Sequence, residues 1–151
     1  SRLFPKDFFD DSFAVVRDPI DRLKSAFKFQ KYKEKKIKDN ITLSDFIKSD
    51  LDTCSRPLGL YDNHFLPQVE LLVKKHPYKI FKLEHGLLDV KKYLDKNLFS
   101  NDSDIKLEHI NAGKYNIELS HKDTYVDDVS LEIISKIYKR DFEFFRYEII
   151  R

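Results

Sequence analysis

The sequence predicts an α/β protein in which a parallel sheet is flanked by helices, and three observations lead to this prediction. An unbroken apolar run from Phe13 to Val16 is typical of a strand buried on both faces of a parallel sheet. Asp18 and Pro19 follow almost at once and mark a helix start, because aspartate is a good N-cap and proline suits the first helical position. A second strand–helix pattern follows at residues 79–98.

The turn between the first strand and the first helix is a candidate anion site. Arg17 stands at the carboxyl end of the strand, where ligands bind in open α/β sheets, and its guanidinium suits phosphate. The helix N-terminus adds backbone N–H groups and a partial positive charge, which also favour an anion. The apolar stripe of this helix predicts a core-facing side, formed by Ile20, Leu23, Ala26 and Phe27.

Ser25 lies opposite that stripe, so its hydroxyl is free to reach a ligand. The spacing leaves two interpretations open. Arg17 and Ser25 could clamp one phosphate together, or Arg17 could pair with a carboxylate while Ser25 is a solvated helix residue.

The next part of the chain is predicted to be mainly helical. Residues 28–38 include six lysines among eleven residues, which indicates either a helix with a solvated face or a basic rim that attracts an acidic polysaccharide or a nucleotide. Ser44 is the predicted N-cap of a helix that ends near Leu51. Residues 52–63 form a predicted loop, and residues 69–75 show a helical pattern.

The second half repeats the alternation of strand and helix. A strand is predicted over residues 79–84 and a helix over residues 87–98, with leucine and valine at core spacing. After a polar loop at residues 101–104, a helical pattern runs from Asp128 and continues through an aromatic stretch to Tyr147. The alternation supports a parallel sheet.

Composition points to one folded domain over residues 1–151. Hydrophobic residues make up 41% and charged residues 36%, which argues against disorder, and no apolar run is long enough to span a bilayer. The formal net charge of +2 gives no bulk case for nucleic acid binding. The single cysteine, Cys54, excludes an internal disulfide and a cysteine-based metal cluster.

Four stretches together resemble carbohydrate sulfotransferases. Residues 16–27 read Val-Arg-Asp-Pro-x-x-Arg-x-x-Ser-Ala-Phe, which is similar to the 3′-phosphate-binding motif of that family. Three later stretches also look like the family and follow in its order: Asp62-Asn63-His64-Phe65-Leu66-Pro67-Gln68, His109-Ile110-Asn111-Ala112, and residues 137–147. The ordered set is much more specific than any one motif and spans most of the chain.

The resemblance implies a P-loop NTPase-like sulfotransferase architecture and a sulfonate donor, PAPS (3′-phosphoadenosine 5′-phosphosulfate), with no metal. It implies that Arg17 and Ser25 hold the 3′-phosphate of PAPS. A later family segment returns to the nucleotide, so Asn111, Gly113 and Lys114 are candidate donor contacts, although the same residues would suit an ordinary surface turn.

His64 is the candidate catalytic residue. Histidine titrates near neutrality and could bind substrate or take a proton from the acceptor hydroxyl, while a histidine at a loop–helix junction can also be a cap or a packed residue. Family members often carry the base upstream of the central strand, but no histidine precedes Arg17 here.

The chain departs from the family at its start. The family has an upstream Pro-Lys-x-Gly-x-(Ser/Thr) loop around the 5′-phosphosulfate, whereas residues 1–12 contain no glycine. We therefore expect the sequence to be the C-terminal portion of a longer chain; a degenerate protein is the other interpretation.

The expected function is transfer of a sulfonate group from PAPS to a hydroxyl of a carbohydrate or polysaccharide. The alternatives are a non-catalytic nucleotide- or glycan-binding module that has lost the donor loop, and a kinase-like phosphoryl transferase. The lysine-rich, cysteine-poor composition favours a bacterial, cytoplasmic protein, or a Golgi membrane protein if an anchor precedes these residues.

Overall fold

The computed structural model describes residues 12–53, 59–73, 76–97 and 121–149, and the chain divides into two compact units. The first unit comprises residues 1–17 and 75–117, and the second comprises residues 18–74 and 118–151. The chain therefore passes from the first unit to the second between Arg17 and Asp18. The expectation of one domain over the whole chain stays a prediction.

The described residues contain parallel strands and helices, which confirms the mixed α/β class in its coarse form. The elements are β1 (Phe13–Val16), α1 (Pro19–Lys28), α2 (Leu43–Phe46), β2 (Lys79–Lys82), α3 (Leu88–Asn97), α4 (Asp128–Ile137) and α5 (Lys139–Phe145). Helices α1 and α2 continue directly into π-helical turns, Phe29–Lys33 and Ile47–Leu51. None of the helices in these ranges is long and apolar enough to cross a membrane.

The first unit is built on the parallel pair of β1 and β2, in which Val16 lies opposite Lys82. Three aromatic rings pack against each other beside the pair, with Phe13 at 6.1 Å from Phe81 and 5.5 Å from Tyr93, measured between centroids. This arrangement confirms β1 but not its predicted burial on both faces, because Val15 is 41% exposed.

The second unit has its own hydrophobic core, to which α1, α2, α4 and α5 contribute. The stripe predicted on α1 is confirmed, since Leu23 and Phe27 are fully buried and Ile20 and Ala26 pack against the same core. Two residues of the C-terminal aromatic stretch, Tyr138 and Phe142, belong to this core, whereas Phe144 is 59% exposed.

Helix α2 is capped by Thr42, so the prediction of Ser44 as N-cap is wrong. The Thr42 hydroxyl accepts the backbone N–H of Asp45, while the Asp45 carboxylate accepts the backbone N–H of Thr42. This reciprocal pair satisfies two groups at the helix start. Ser44 instead donates its hydroxyl to the carbonyl of Tyr125, at 2.9 Å.

In the lysine-rich segment, one lysine side chain is buried although a solvated helix face was predicted. The Lys31 side chain is buried, and its Nζ donates to the Ile41 carbonyl at 2.9 Å while lying 5.6 Å from the centre of the Phe27 ring. Because the ammonium has a hydrogen-bond acceptor, an aromatic face and the Asp123 carboxylate at 3.4 Å, its charge is tolerated in the core. The helical turns end at Lys33, well before residue 38.

Three other predicted segments are shorter than expected. Of the helix predicted over residues 69–75, residues 69–71 belong to one 3₁₀ turn, Gln68–Leu71, and Leu72 is already extended. Strand β2 ends at Lys82, and another 3₁₀ turn, Leu83–His85, follows it. The predicted C-terminal helix breaks at Tyr138, whose backbone φ of −99° and ψ of 16° separates α4 from α5.

Asp127 gives a testable pH dependence of stability. Its carboxylate accepts hydrogen bonds from Lys48 and from the backbone N–H of Ser130 at the start of α4, which together lower the pKa of Asp127 to about 2. Because the folded-state pKa lies below the unfolded value, its charge stabilises the fold above about pH 4. This stabilisation is lost as the pH falls toward the folded-state value.

Asp127→Asn keeps an N-cap acceptor but removes the charge. We expect the difference in free energy of unfolding between wild type and variant to be present at neutral pH and to shrink below about pH 4, measured by urea denaturation. Asp128→Asn, at the exposed neighbouring position, is the control. A difference for Asp127→Asn that did not change with pH would contradict this interpretation.

Candidate functional site

The N-terminus of α1 does not offer the free backbone amides that the sequence suggested. The Asp18 carboxylate accepts the N–H groups of Ile20 and Asp21, at 2.9 and 3.0 Å. The Asp18 carbonyl accepts the N–H of Arg22 at 2.8 Å, and Pro19 has no N–H. The first turn is therefore satisfied by its own cap, and side chains must supply any phosphate contact here.

The two residues predicted to bind the 3′-phosphate are both described. Arg17 follows the last residue of β1 and is half-buried. Ser25 is exposed on α1, as the position of the apolar stripe predicts. The joint clamp stays a prediction. Asn111, Gly113 and Lys114 lie outside the described residues.

His64 is presented by an unusual turn. The three residues before it, Tyr61, Asp62 and Asn63, all have left-handed backbone conformations, with φ of 47°, 58° and 64°. Aspartate and asparagine tolerate this region better than other non-glycine residues, but a tyrosine there is uncommon. Such strain persists only where neighbouring contacts impose it, and it concentrates at functional sites.

Three contacts hold this turn in place. Asn63 Oδ1 accepts the backbone N–H of Gly59 at 2.6 Å, and the Tyr61 ring packs against the hydrophobic core. Lys36 donates to the Asp62 carboxylate at 2.8 Å, and this hydrogen bond lowers the pKa of Asp62. The turn is therefore fixed by contacts on both sides.

The imidazole of His64 is half-buried and is held on two sides. The Phe29 ring meets it edge-on, with centroids 5.1 Å apart and planes at 78°. The side-chain amide of Gln30 forms a hydrogen bond with Nδ1. Within the part of the chain that the structure describes, Nε2 has no hydrogen-bond partner, so it is the ring nitrogen that a ligand can reach.

The backbone that follows His64 is held by a buried carboxylate. Asp141 of α5 is 0% exposed, and its two oxygens accept the backbone N–H groups of Gln68, at 2.7 Å, and Val69, at 2.8 Å. These bonds satisfy both oxygens and two donors of the 3₁₀ turn at once. The position of residues 68–69 is thus set from α5.

Two further side chains bind the carbonyls of the preceding residues. Arg22 of α1 donates from Nη1 to the Leu66 carbonyl at 2.8 Å, and the buried Tyr138 hydroxyl donates to the Phe65 carbonyl at 2.7 Å. We call Arg22, Tyr138 and Asp141 the polar junction. Together these side chains bind four backbone groups of residues 65–69, directly after His64.

In the polar junction, burial and the neighbouring charges have opposing effects on the pKa values of Arg22 and Asp141. Burial raises the pKa of Asp141, whereas its backbone hydrogen bonds and the Arg22 charge oppose the change. Burial lowers the pKa of Arg22, opposed by Tyr138 and Asp141, and burial also raises the pKa of Tyr138. Arg22 and Asp141 are tolerated in the interior because each is hydrogen-bonded to backbone groups and the two opposite charges favour each other.

The polar junction connects three of the four motif stretches. Arg22 belongs to the stretch 16–27, the bound carbonyls and N–H groups lie in or beside residues 62–68, and the other two side chains belong to residues 137–147. Neither Arg22 nor Asp141 was among the residues predicted from the sequence. The available signal was a charged residue within each of the stretches 16–27 and 137–147.

No three histidine, cysteine, aspartate or glutamate side chains within the described ranges are grouped so that they could hold a metal ion.

Asp141→Asn tests the polar junction. The amide would turn an N–H₂ group against one of the two backbone donors and would leave Arg22 without its negative neighbour. We expect the free energy of unfolding to fall by about 1–3 kcal/mol, measured by denaturant titration. The control is Glu143→Gln, an exposed residue of α5 whose pairing with Lys139 at 3.7 Å contributes about 0.5 kcal/mol or less. Equal effects of the two substitutions would contradict the assigned role.

Comparison with known proteins agrees with the motifs. The chain matches the model of the Sulfotransferase family over residues 6–148, which include all four motif stretches and both residues predicted to bind phosphate. No curated protein and no solved structure gives a significant match. Because the family model covers nearly the whole chain, the suspected resemblance is confirmed, and the protein belongs to the Sulfotransferase family.

Proposed function

We propose that this protein transfers a sulfonate group from PAPS to a hydroxyl of a carbohydrate. Family membership supports sulfotransfer in general, and the match over residues 6–148 is the observation that carries the proposal. The parallel pair of β1 and β2, with Arg17 directly after β1 in the sequence, is compatible with a P-loop-like nucleotide-binding arrangement.

The donor side of the proposal assigns the 3′-phosphate to Arg17 and Ser25. The amides of the first turn of α1 are already bonded, so a guanidinium and a hydroxyl provide the recognition. Asn111, Gly113 and Lys114 are proposed as further donor contacts on the family resemblance alone.

The acceptor side assigns proton removal to His64. The acceptor hydroxyl oxygen forms a bond to sulfur while the bond from sulfur to the phosphate oxygen breaks. The leaving adenosine 3′,5′-bisphosphate keeps that electron pair, and the hydroxyl proton passes to Nε2 of His64. The strained turn before His64 and the hydrogen bond at its Nδ1 support this role, because both restrict where the ring can point.

Binding of the spent donor tests the phosphate contacts. Adenosine 3′,5′-bisphosphate would be titrated calorimetrically into the longest natural chain that contains these residues. We expect Arg17→Ala to weaken binding at least ten-fold, about 1.4 kcal/mol, and Ser25→Ala to weaken it less, because a neutral hydrogen bond is the weaker contact.

The charge-matched control is Lys28→Ala, which removes one exposed positive charge from the far end of α1. Equal weakening by Lys28→Ala and Arg17→Ala would show a general charge effect and refute the specific contact. An absence of binding to the wild type would refute the donor assignment.

A transfer assay tests His64. Sulfonate incorporation from PAPS would be measured on a panel of neutral, amino-sugar and uronate-containing polysaccharides. With an accepted polysaccharide, His64→Ala should lower kcat by about 10²- to 10⁴-fold and leave KM for PAPS nearly unchanged. His85→Ala, at an exposed histidine of the first unit, is the control. Donor binding without transfer to any polysaccharide would favour the non-catalytic binding module.

A further inference from the structure

Gln30 is a buried polar side chain that contacts the ring of His64. It lies in the π-helical turn Phe29–Lys33 and is 0% exposed. Its backbone carbonyl accepts the N–H groups of Lys36, at 2.9 Å, and Ile37, at 3.4 Å. Single π-helical turns are frequent at functional sites, and this one directs the Gln30 amide to the ring of His64.

We propose that Gln30 is the positioning residue that makes Nε2 of His64 the proton-accepting nitrogen, by presenting its amide oxygen to an Nδ1–H group. This inference rests on the proposed function, which assigns the base to His64. Gln30 itself does not contact the substrate in this role; it acts through the imidazole.

The contact between the buried Gln30 amide and Nδ1 is the first argument. As placed, the amide nitrogen lies at Nδ1 of His64, and Oε1 is buried with no hydrogen-bond partner among the described residues. A turn of the amide by about 180° exchanges its oxygen and nitrogen, and Oε1 then accepts from Nδ1–H. One end of the amide therefore meets Nδ1 in either orientation, and the tautomer of the ring decides which end it is.

The chemistry of imidazole is the second argument. A neutral ring carries one hydrogen, so an Nδ1 that accepts from Gln30 would require a hydrogen on Nε2, and that nitrogen could not take a proton. With Oε1 at Nδ1–H, the lone pair is on Nε2. The imidazolium formed after proton transfer carries hydrogens on both nitrogens and again needs an acceptor at Nδ1. One amide orientation therefore serves both stages of the reaction.

The test is the tautomer of His64, read from the ¹⁵N shifts of its ring in long-range ¹H–¹⁵N spectra of the full chain at alkaline pH. We expect the wild type to carry its hydrogen on Nδ1. Gln30→Leu, which removes the acceptor, should shift the ring toward the Nε2–H form. Gln30→Glu places an acceptor-only group of the same shape at this position and should keep the Nδ1–H form.

Phe29→Leu is the packing control, since it changes the edge contact with the ring but leaves the Gln30 amide in place. A wild-type ring with its hydrogen on Nε2 would overturn the proposal. So would an Nδ1–H form that survives in Gln30→Leu. The spread of chemical shifts in the same spectra reports whether each variant is folded.

Kinetics separate this inference from the proposed function. With an accepted polysaccharide, Gln30→Leu should lower kcat by at least about ten-fold with KM for PAPS unchanged, and Gln30→Glu should restore part of the loss. If no polysaccharide is sulfated, the proposed function fails while the spectra still decide the tautomer. If His64→Ala abolishes transfer but Gln30→Leu changes neither tautomer nor kcat, only the role of Gln30 fails.

Discussion

The arrangement of the segment after His64 depends most on the hydrogen bonds of the buried Asp141 carboxylate. This carboxylate accepts two backbone N–H groups of the 3₁₀ turn, so it connects α5 with the segment after His64, and the positive charge of Arg22 on α1 favours its ionised form. A bare carboxylate in such a place would be very costly to bury. The two backbone donors and the guanidinium make its burial possible, and they also specify one arrangement of the segment.

The polar junction and the strained turn act from opposite sides of His64. Before the histidine, three left-handed residues reverse the chain, and after it Arg22 and Tyr138 bind the carbonyls of Leu66 and Phe65. A strained backbone persists only where its surroundings impose it, and here the packed Tyr61 ring and the hydrogen bonds of Asp62 and Asn63 do so. The conformation of the chain at His64 is therefore set by contacts on both sides of the histidine.

The local elements of this protein were largely predictable from sequence. The apolar run of β1, the Asp18-Pro19 start of α1 and the stripe of α1 are short-range signals, and the structure confirms each. The N-cap at Thr42 was missed because serine and threonine both suit that role, and the reciprocal bond with Asp45 decides between them. The convergence of Arg22 and Asp141 on residues 66–69 was not predictable, because it brings together residues more than a hundred positions apart.

The buried Lys31 gives the second unit an internal reporter of its opening. An amine-reactive reagent can modify the exposed Lys35 and Lys38 of the same segment in the native protein, whereas Lys31 is 1% exposed and its ammonium is bonded within the core. Modification of Lys31 therefore requires a molecule in which this part of the core has separated. Its rate, compared with that of its neighbours, would measure how often local unfolding occurs under native conditions.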